Sequence, residues 1–400
     1  MPAREVSGTA WGPDETAMYA VHHHVGAWDV MLHGALFVQF IYEPGAVHRT
    51  GGFSTHQIDS LNWGMLVARR RAGAGRVGLR AMLSLEPWTA PDCGTIDFFA
   101  TGEMCDGDTI HDRQHPHDLF MELAADYDRP LTSGWRWQVY GGMSGEPALG
   151  PPAYPHRASA VDNPVAPIGH HWLDSTHISF GVVTGGVYSE RWKIEASAFN
   201  GREPDDDRID IDPGPLDSVS GRISWLPTRR LAVQVSAGHL TDAEAQFAPH
   251  PRTSDDRFTA SAIYQRPVRG SGFWASTIAY GLDGGWVVAG GLPDRFRVSS
   301  ALIAESTITL AGRHTWFGRF ETVGKPGEAL HVHDAPARIL PVTKLQAGYV
   351  RELARAHSTW GLGASGSLSV VPQELIPRYY GRIAPGLAVF LVVHPPRHMM

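Results

Sequence analysis

Apolar and polar residues alternate strictly along most of the chain, in stretches of about ten residues. In "VGLRAMLSLE" (77–86), Val77, Leu79, Ala81, Leu83 and Leu85 share one face, and Gly78, Arg80, Met82, Ser84 and Glu86 share the other. In "WKIEASAF" (192–199), Trp192, Ile194, Ala196 and Ala198 oppose Lys193, Glu195 and Ser197. In "VSGRISW" (219–225), Val219, Ile223 and Trp225 oppose Ser220, Arg222 and Ser224. A period of two marks a strand with one apolar and one polar face. Sixteen such segments run from 28–42 to 383–393, and no amphipathic helix interrupts them.

The connections carry the next inference, because short and long ones alternate. "AGAG" (72–75), "VYSE" (187–190), "PTRR" (227–230) and "ARAHS" (354–358) are short. Between them lie long segments such as 43–59, 87–117, 144–176 and 201–217. An even number of ten-residue strands with short turns at one end and long loops at the other predicts an outer-membrane β-barrel. Alternation alone also fits a soluble sandwich; the regular short and long rhythm over the whole length favours the barrel. The expected fold is all-β: a single transmembrane antiparallel barrel of about sixteen strands over 28–393. A periplasmic N-terminal segment (1–27) would precede it, and a His- and Met-containing tail (394–400) would follow.

Composition agrees with this picture. Charged residues are 19% of the 400, and the net charge of −7 lacks the basic stripe a nucleic-acid partner requires. No run reaches the length of an apolar membrane helix. The start, "MPAREVSGTAWGPDE", has no apolar signal core, so an exported barrel implies a leader missing from this sequence. Cys93 and Cys105 either close a short loop in an oxidising compartment or remain two thiols.

Candidate chemistry concentrates in the 21 histidines. "IHDRQHPHDLF" holds His111, Asp112, His115, His117 and Asp118 where the second long loop becomes a descending strand. The third loop ends in "GHHWLDSTHISFG", with His170, His171, Asp174 and His177. The two loops enter strands two apart around the wall, and each is long enough to fold inward. Their imidazoles and carboxylates can converge at the outer mouth, a donor set that suits copper or zinc. The plain alternative is an ion-pair network that pins the loops, drawing on Arg113, Arg157 and Asp162. A second cluster, His22, His23, His24, His394, His398, Met399 and Met400, would meet where first and last strands pair, and Met with His favours copper. The acidic "GREPDDDRIDID" (201–212) is a weaker calcium candidate without EF-hand spacing. The lumen face is expected to carry Arg80, Glu86, Glu122, Arg136, Lys193, Glu195, Arg222, Arg319 and Glu321. Mixed charge of this kind suits a wet channel or a plugged, salt-bridged interior. Ser175 beside Asp174 and His177 supplies the letters of a hydrolase triad, but neighbours in sequence cannot readily form its hydrogen-bond chain.

The blocks "DRQHPHDLFMELA" (112–124), "GEPALGP" (145–151), "HRASA" (156–160), "GHHWLDSTHISFGVVTGG" (169–186), "GREPDDDR" and "LNWGMLVARR" resemble an uncharacterised family of bacterial outer-membrane β-barrel proteins. The resemblance covers most of the chain. It implies an association with copper and other heavy-metal resistance and assigns no catalytic residues. Cys93 and Cys105 fall outside the family's pattern. The expected function is a porin-like channel or binding barrel with a His/Asp-lined outer mouth, passing a transition metal or small solutes. The alternatives are a membrane-embedded hydrolase acting on lipid or lipopolysaccharide, and a plugged structural barrel. The expected surroundings are outer-membrane lipid and lipopolysaccharide, in a monomer or an oligomer.

Overall fold

A computed structural model describes residues 4–47, 53–91, 93–105, 108–244, 253–287, 295–332, 334–336, 338–355, 358–379 and 381–399. Sixteen antiparallel strands close into one barrel. They are β1 Trp28–Val47, β2 Phe53–Ala72, β3 Gly75–Leu83, β4 Phe120–Thr132, β5 Trp135–Gly145, β6 Ser179–Tyr188, β7 Trp192–Phe199 and β8 Ser218–Thr228. The circle continues with β9 Leu231–Glu244, β10 Thr253–Val268, β11 Gly272–Val287, β12 Arg295–Leu310, β13 His314–Pro326, β14 Ile339–Arg355, β15 Thr359–Val370 and β16 Ile383–His394. Each strand pairs with its neighbour in chain order, and β16 closes on β1 from Val393↔Leu36 to Leu387↔Tyr42. A rim strand, Ala17–Val25, covers the rest of that edge of β1 and pairs in turn with Arg397–Met399. No strand of the circle is left with an unpaired edge, as closure requires.

The alternation read from the sequence sets the two faces. Ile194, Val219 and Leu387 are half exposed or more on the outside, at 50%, 55% and 61%. Lys193 and Arg222, at inward positions of the same strands as Ile194 and Val219, are 0% and 1% exposed. That second pair of values decides a question about the lumen. Charged walls of a wet channel would be solvated, and here they are not, so the interior is filled.

Three pieces of chain fill it. The second outer loop (84–119) and the third (146–178) fold inward. Ile96, Phe98, Phe99, Ile168, Trp172 and Leu173 pack against wall residues Ala279, Ala301, Ile303 and Val342 in one apolar cluster. The third piece is the N-terminus, which differs from expectation. The segment 1–27 was expected on the periplasmic side, but residues 4–12 enter the lumen. There Glu5 pairs with Arg69 and Arg80 of the wall and accepts a hydrogen bond from Gln138 at 2.6 Å. Thr9 receives Lys193 on its carbonyl at 2.6 Å and Arg222 on its hydroxyl at 3.0 Å. The hairpin between Glu5–Ser7 and Ala10–Trp11 turns at Gly8, whose φ is +48° and whose Cβ would lie 2.6 Å from Glu146. Only glycine suits that turn, because both the backbone and the space exclude a side chain.

Candidate functional site

The two inward loops bring part of the predicted His/Asp set together. The third loop contains short helical turns, Tyr154–His156, His170–Leu173 and Ser175–His177. The second begins with a helical turn, Glu86–Thr89, and is tied by a Cys93–Cys105 disulfide and by pairing of Thr95–Ile96 with Arg113–Gln114. Where the loops meet, His117, His170, His177 and Tyr154 form a ring cluster. His177 lies 5.4 Å from His117 and 5.0 Å from His170, centre to centre, and Tyr154 lies 5.5 Å from His170.

Each of these imidazoles is anchored through Nδ1 to an oxygen. His117 Nδ1 meets Glu86 Oε2 at 2.9 Å, His170 Nδ1 meets Asp174 Oδ1 at 2.8 Å, and His177 Nδ1 donates to the Asp174 carbonyl at 2.9 Å. An acceptor at Nδ1 holds the proton there and leaves the Nε2 lone pair for another partner, the arrangement that orients metal-binding histidines. The Tyr154 hydroxyl reaches His117 Nε2 at 3.3 Å, and His177 Nε2 is buried without a hydrogen-bond partner among the described residues.

Electrostatics separate the three rings. Burial holds His177 well below the ordinary histidine range, and His170 below it despite Asp174. Burial also opposes the charged form of His117, but Glu86 outweighs it and holds that ring above its usual range. Asp174 stays ionised because Arg157, at 2.5 Å, and then His170 outweigh its burial. Neutral imidazole is the form that binds metal.

The other predicted ligands are placed differently. His115 is near the cluster: burial, then Arg208, His171, His117 and His170, hold it well below its usual range. His171 faces Glu203 at 3.1 Å and packs on Gly102, whose Cβ would lie 2.6 Å from the ring. Asp118 lies 3.5 Å from Arg208, and burial pushes its carboxyl up to about 6. His111 and Asp112 lie elsewhere. His111 accepts from Arg378 at 2.8 Å and meets the ring of His331 at 4.6 Å. Asp112 accepts from the Tyr379 hydroxyl at 2.7 Å and the Phe99 amide at 2.8 Å, which pins the loop. Among the described residues, Asp205, Asp210 and Asp212 of the acidic loop are the one His, Cys or carboxylate group with all ligand atoms within 4.8 Å of one another. The imidazole cluster is looser than a loaded zinc site, whose nitrogens sit roughly 3.3 Å apart given a Zn–N bond of about 2.0 Å.

Several expected lumen residues hold the plug. Glu195 joins Lys193 (3.0 Å) and Arg222 (2.9 Å), and Glu321 accepts the Ile168 amide at 3.1 Å. Arg319 donates to the Val165 carbonyl at 2.8 Å, and Glu122 accepts from Tyr140 at 2.7 Å. Glu305, on the wall, takes Arg157 of the third loop at 2.7 Å. Glu86 is not on the wall, because the chain leaves β3 before it; its carboxylate serves His117 instead. Arg136 pairs with Asp128 at 2.5 Å. Met121, which shares its parity with the outward-facing Ala125, is 1% exposed within an inner cluster, because a register shift between Phe120 and Glu122 turns it inward. Ser175 receives Arg257 at 2.9 Å and itself reaches the His171 carbonyl at 3.5 Å. At the rim His22, His23 and His24 are exposed, and His394 stacks on Tyr19 at 3.8 Å. The side chains of His398 and Met399, and all of Met400 and His333, lie outside the described residues.

No protein-family model matches the sequence, and no curated protein matches it. Solved structures do match in shape. Salmonella typhi OmpF, solved with daunomycin, is similar at TM-score 0.53 and 10% identity, over 94% of this chain and 100% of that one. The Acinetobacter baumannii outer-membrane channel DcaP gives 0.52 and 9%, over 93% and 98%. Pseudomonas putida OprB gives 0.52 and 8%, over 93% and 94%. The chain is therefore an outer-membrane β-barrel of porin-like architecture.

Proposed function

We propose that this barrel binds a transition-metal ion of the copper or zinc class at the His117–His170–His177 cluster and admits it to the lumen. A single observation carries the reading: three imidazoles in the plug are each anchored at Nδ1 to an oxygen, which leaves Nε2 as the accepting atom, met by the Tyr154 hydroxyl at His117 and by no described residue at His177. The Glu86 and Asp174 carboxylates that orient the rings also compensate the charge of a bound cation. Loading requires the rings to draw closer together. The filled lumen separates this protein from an open general porin. It favours selective passage, in which the plug yields to its ligand, over steady diffusion.

Two measurements test the proposal together. Electron paramagnetic resonance of the refolded protein with one equivalent of Cu²⁺ is expected to show several nitrogen ligands, lost in His170→Ala/His177→Ala. Planar-bilayer recordings are expected to show little steady current without metal. A copper signal without nitrogen coupling, or one unchanged in the double variant, would remove the metal centre. Large steady current insensitive to metal would return the protein to the open-porin class.

A further inference from the structure

Below the imidazole cluster, the β1–β3 sector of the wall carries a row of side chains that makes no ion pair. His33, Met65 and Met82 are direct neighbours across three strands, through the pairings His33↔Met65 and Met65↔Met82. All three point inward and are at most 8% exposed. Direct cross-strand partners have Cβ atoms about 5 Å apart, so the thioethers and the imidazole share one patch. The third loop lays His156 over that patch. Its Nε2 lies 3.4 Å from Met82 Sδ, and its ring is 5.5 Å from His33. Trp63 flanks both rings, at 4.7 Å from His156 and 5.3 Å from His33. His33 Nε2 is buried and has no hydrogen-bond partner among the described residues.

An apolar core would explain the methionines, which fill irregular gaps well. It does not explain two imidazoles among them, one with a buried nitrogen left unsatisfied, since such a group is costly unless something binds it. Arg80, which acts on both rings, is itself paired with Glu5 at 2.6 Å and Asp126 at 3.4 Å, while further arginines line the adjoining cavity. A cavity of about 550 Å³ continues from Met31, His33 and Met65 toward Met18 and His22 at the periplasmic rim.

We propose that His33, His156, Met65 and Met82 form a site for a soft monovalent cation of the Cu(I) class, placed between the plug and the periplasmic cavity. Thioether and imidazole donors without a carboxylate select soft, singly charged ions over Zn²⁺ or Cu²⁺. Burial holds His156 well below the ordinary histidine range, which keeps its lone pair available near neutral pH. The site goes beyond the function proposed above, and it stands even if the His117–His170–His177 cluster binds nothing.

Ag(I), redox-inert and of the same class, is the probe. The full-length barrel is refolded in detergent with methyl-labelled methionine and titrated with Ag(I), with resonances assigned by Met→Leu substitution. One equivalent is expected to shift the Met65 and Met82 methyls together. Met65→Leu/Met82→Leu, which conserves volume, is expected to weaken Ag(I) binding by at least about tenfold. His117→Ala/His177→Ala is expected to leave Ag(I) binding unchanged while abolishing nitrogen coupling to Cu²⁺. Unmoved Met65 and Met82 methyls, a shift confined to Met18, Met31 or Met399, or unchanged affinity in the double Leu variant would each overturn the site. If that variant does not refold, the wild-type methyl shifts decide alone.

Discussion

Two sides of the same lumen are built on opposite principles. On the side of β7–β14, many of the described inward charges have a plug partner. Glu305 takes Arg157 and Arg319, Lys344 takes Asp97 and Glu43, and Lys325 donates to the Ile168 carbonyl at 2.9 Å and to Thr101 at 2.8 Å. On the side of β1–β3, the plug meets Arg69, Arg80 and Asp59, but beside these contacts the wall turns to methionine and histidine and borders a cavity. Both sides are buried, so burial alone does not distinguish support from binding. What distinguishes them is whether the buried polar side chain is fixed by an ion pair, as Arg157 and Arg319 are, or by none, as with His33. A charge-matched contact is complete as it stands and fixes the plug. An imidazole with a lone pair and no donor is incomplete, and a ligand can complete it.

The sharpest way to break this comparison is to unmatch the supporting side. Glu305→Gln leaves Arg157 and Arg319 short of a counter-charge, and breaking a buried pair of this kind costs about 3–5 kcal/mol. The third loop is then expected to loosen, with rapid proteolysis after Arg157 and a rise in bilayer conductance. A variant as resistant and as closed as the parent would mean that the ion pairs do not hold the plug.

Next in size is a change to the binding side that spares the plug. Glu86→Gln removes the carboxylate that orients His117 and is expected to weaken metal affinity by about 10- to 100-fold at unchanged conductance. Equal affinity by calorimetry would argue that His117 is a packed loop residue and not a ligand.

Acid separates the two sides more gently. His115, His156, His170 and His177 are held below their ordinary range, so the undocked loops bind more protons below about pH 6.5. The contribution of these four rings is therefore expected to weaken as pH falls from 7 through that ordinary value of about 6.5. His117, held above its range by Glu86, has the opposite sign; its contribution is full below about pH 6.5 and fades as pH rises through its folded value. Asp118, Glu146 and Asp162, pushed up by burial to about 6, 7 and 6, share the sign of His117, so the two sets oppose one another and the rings are read one by one. The ring signals of His170 and His177 are expected to keep neutral shifts at about pH 6.5, and protonated rings there would contradict the assignment.

The smallest effect belongs to an exposed contact of the same kind as the buried ones. Arg202 pairs with Asp217 at 3.0 Å and with Asp242 at 2.9 Å near the outer surface. Arg202→Ala is expected to cost less than about 1 kcal/mol and to leave conductance and metal affinity alone, because water and salt screen such pairs. A thermal-shift loss as large as that of Glu305→Gln would erase the distinction between the two kinds of pair.

The architecture was legible in the sequence because a strand has a period of two and a barrel must alternate its connections. Lys193 and Arg222 inside, Ile194 and Val219 outside, follow from parity alone. His117, His170, Asp174 and His177 were legible as candidates because they lie at the ends of two long loops. Their separation from His111 and Asp112 was not, since one residue of loop path decides which side of a turn a ring takes. The Met65–Met82 pairing was also hidden. Met82 sat visibly on the polar face of its segment, but only the register of β1, β2 and β3 sets His33, Met65 and Met82 in one row. Met121 shows the limit of parity: one bulge at the top of β4 turned an outward residue inward.

The sequence by itself determined the barrel, its strand number, its inner and outer faces and the loops that carry the histidines. Those properties rest on local periodicity, which neighbouring residues express without reference to the rest of the chain. Only the tertiary structure decided that residues 4–12 and two outer loops fill the lumen, which imidazoles meet, and which charges are already spent on one another. These depend on contacts between segments a hundred or more residues apart, such as Arg157 with Glu305 and Thr9 with Arg222, and no local pattern encodes which distant partner will satisfy a buried group.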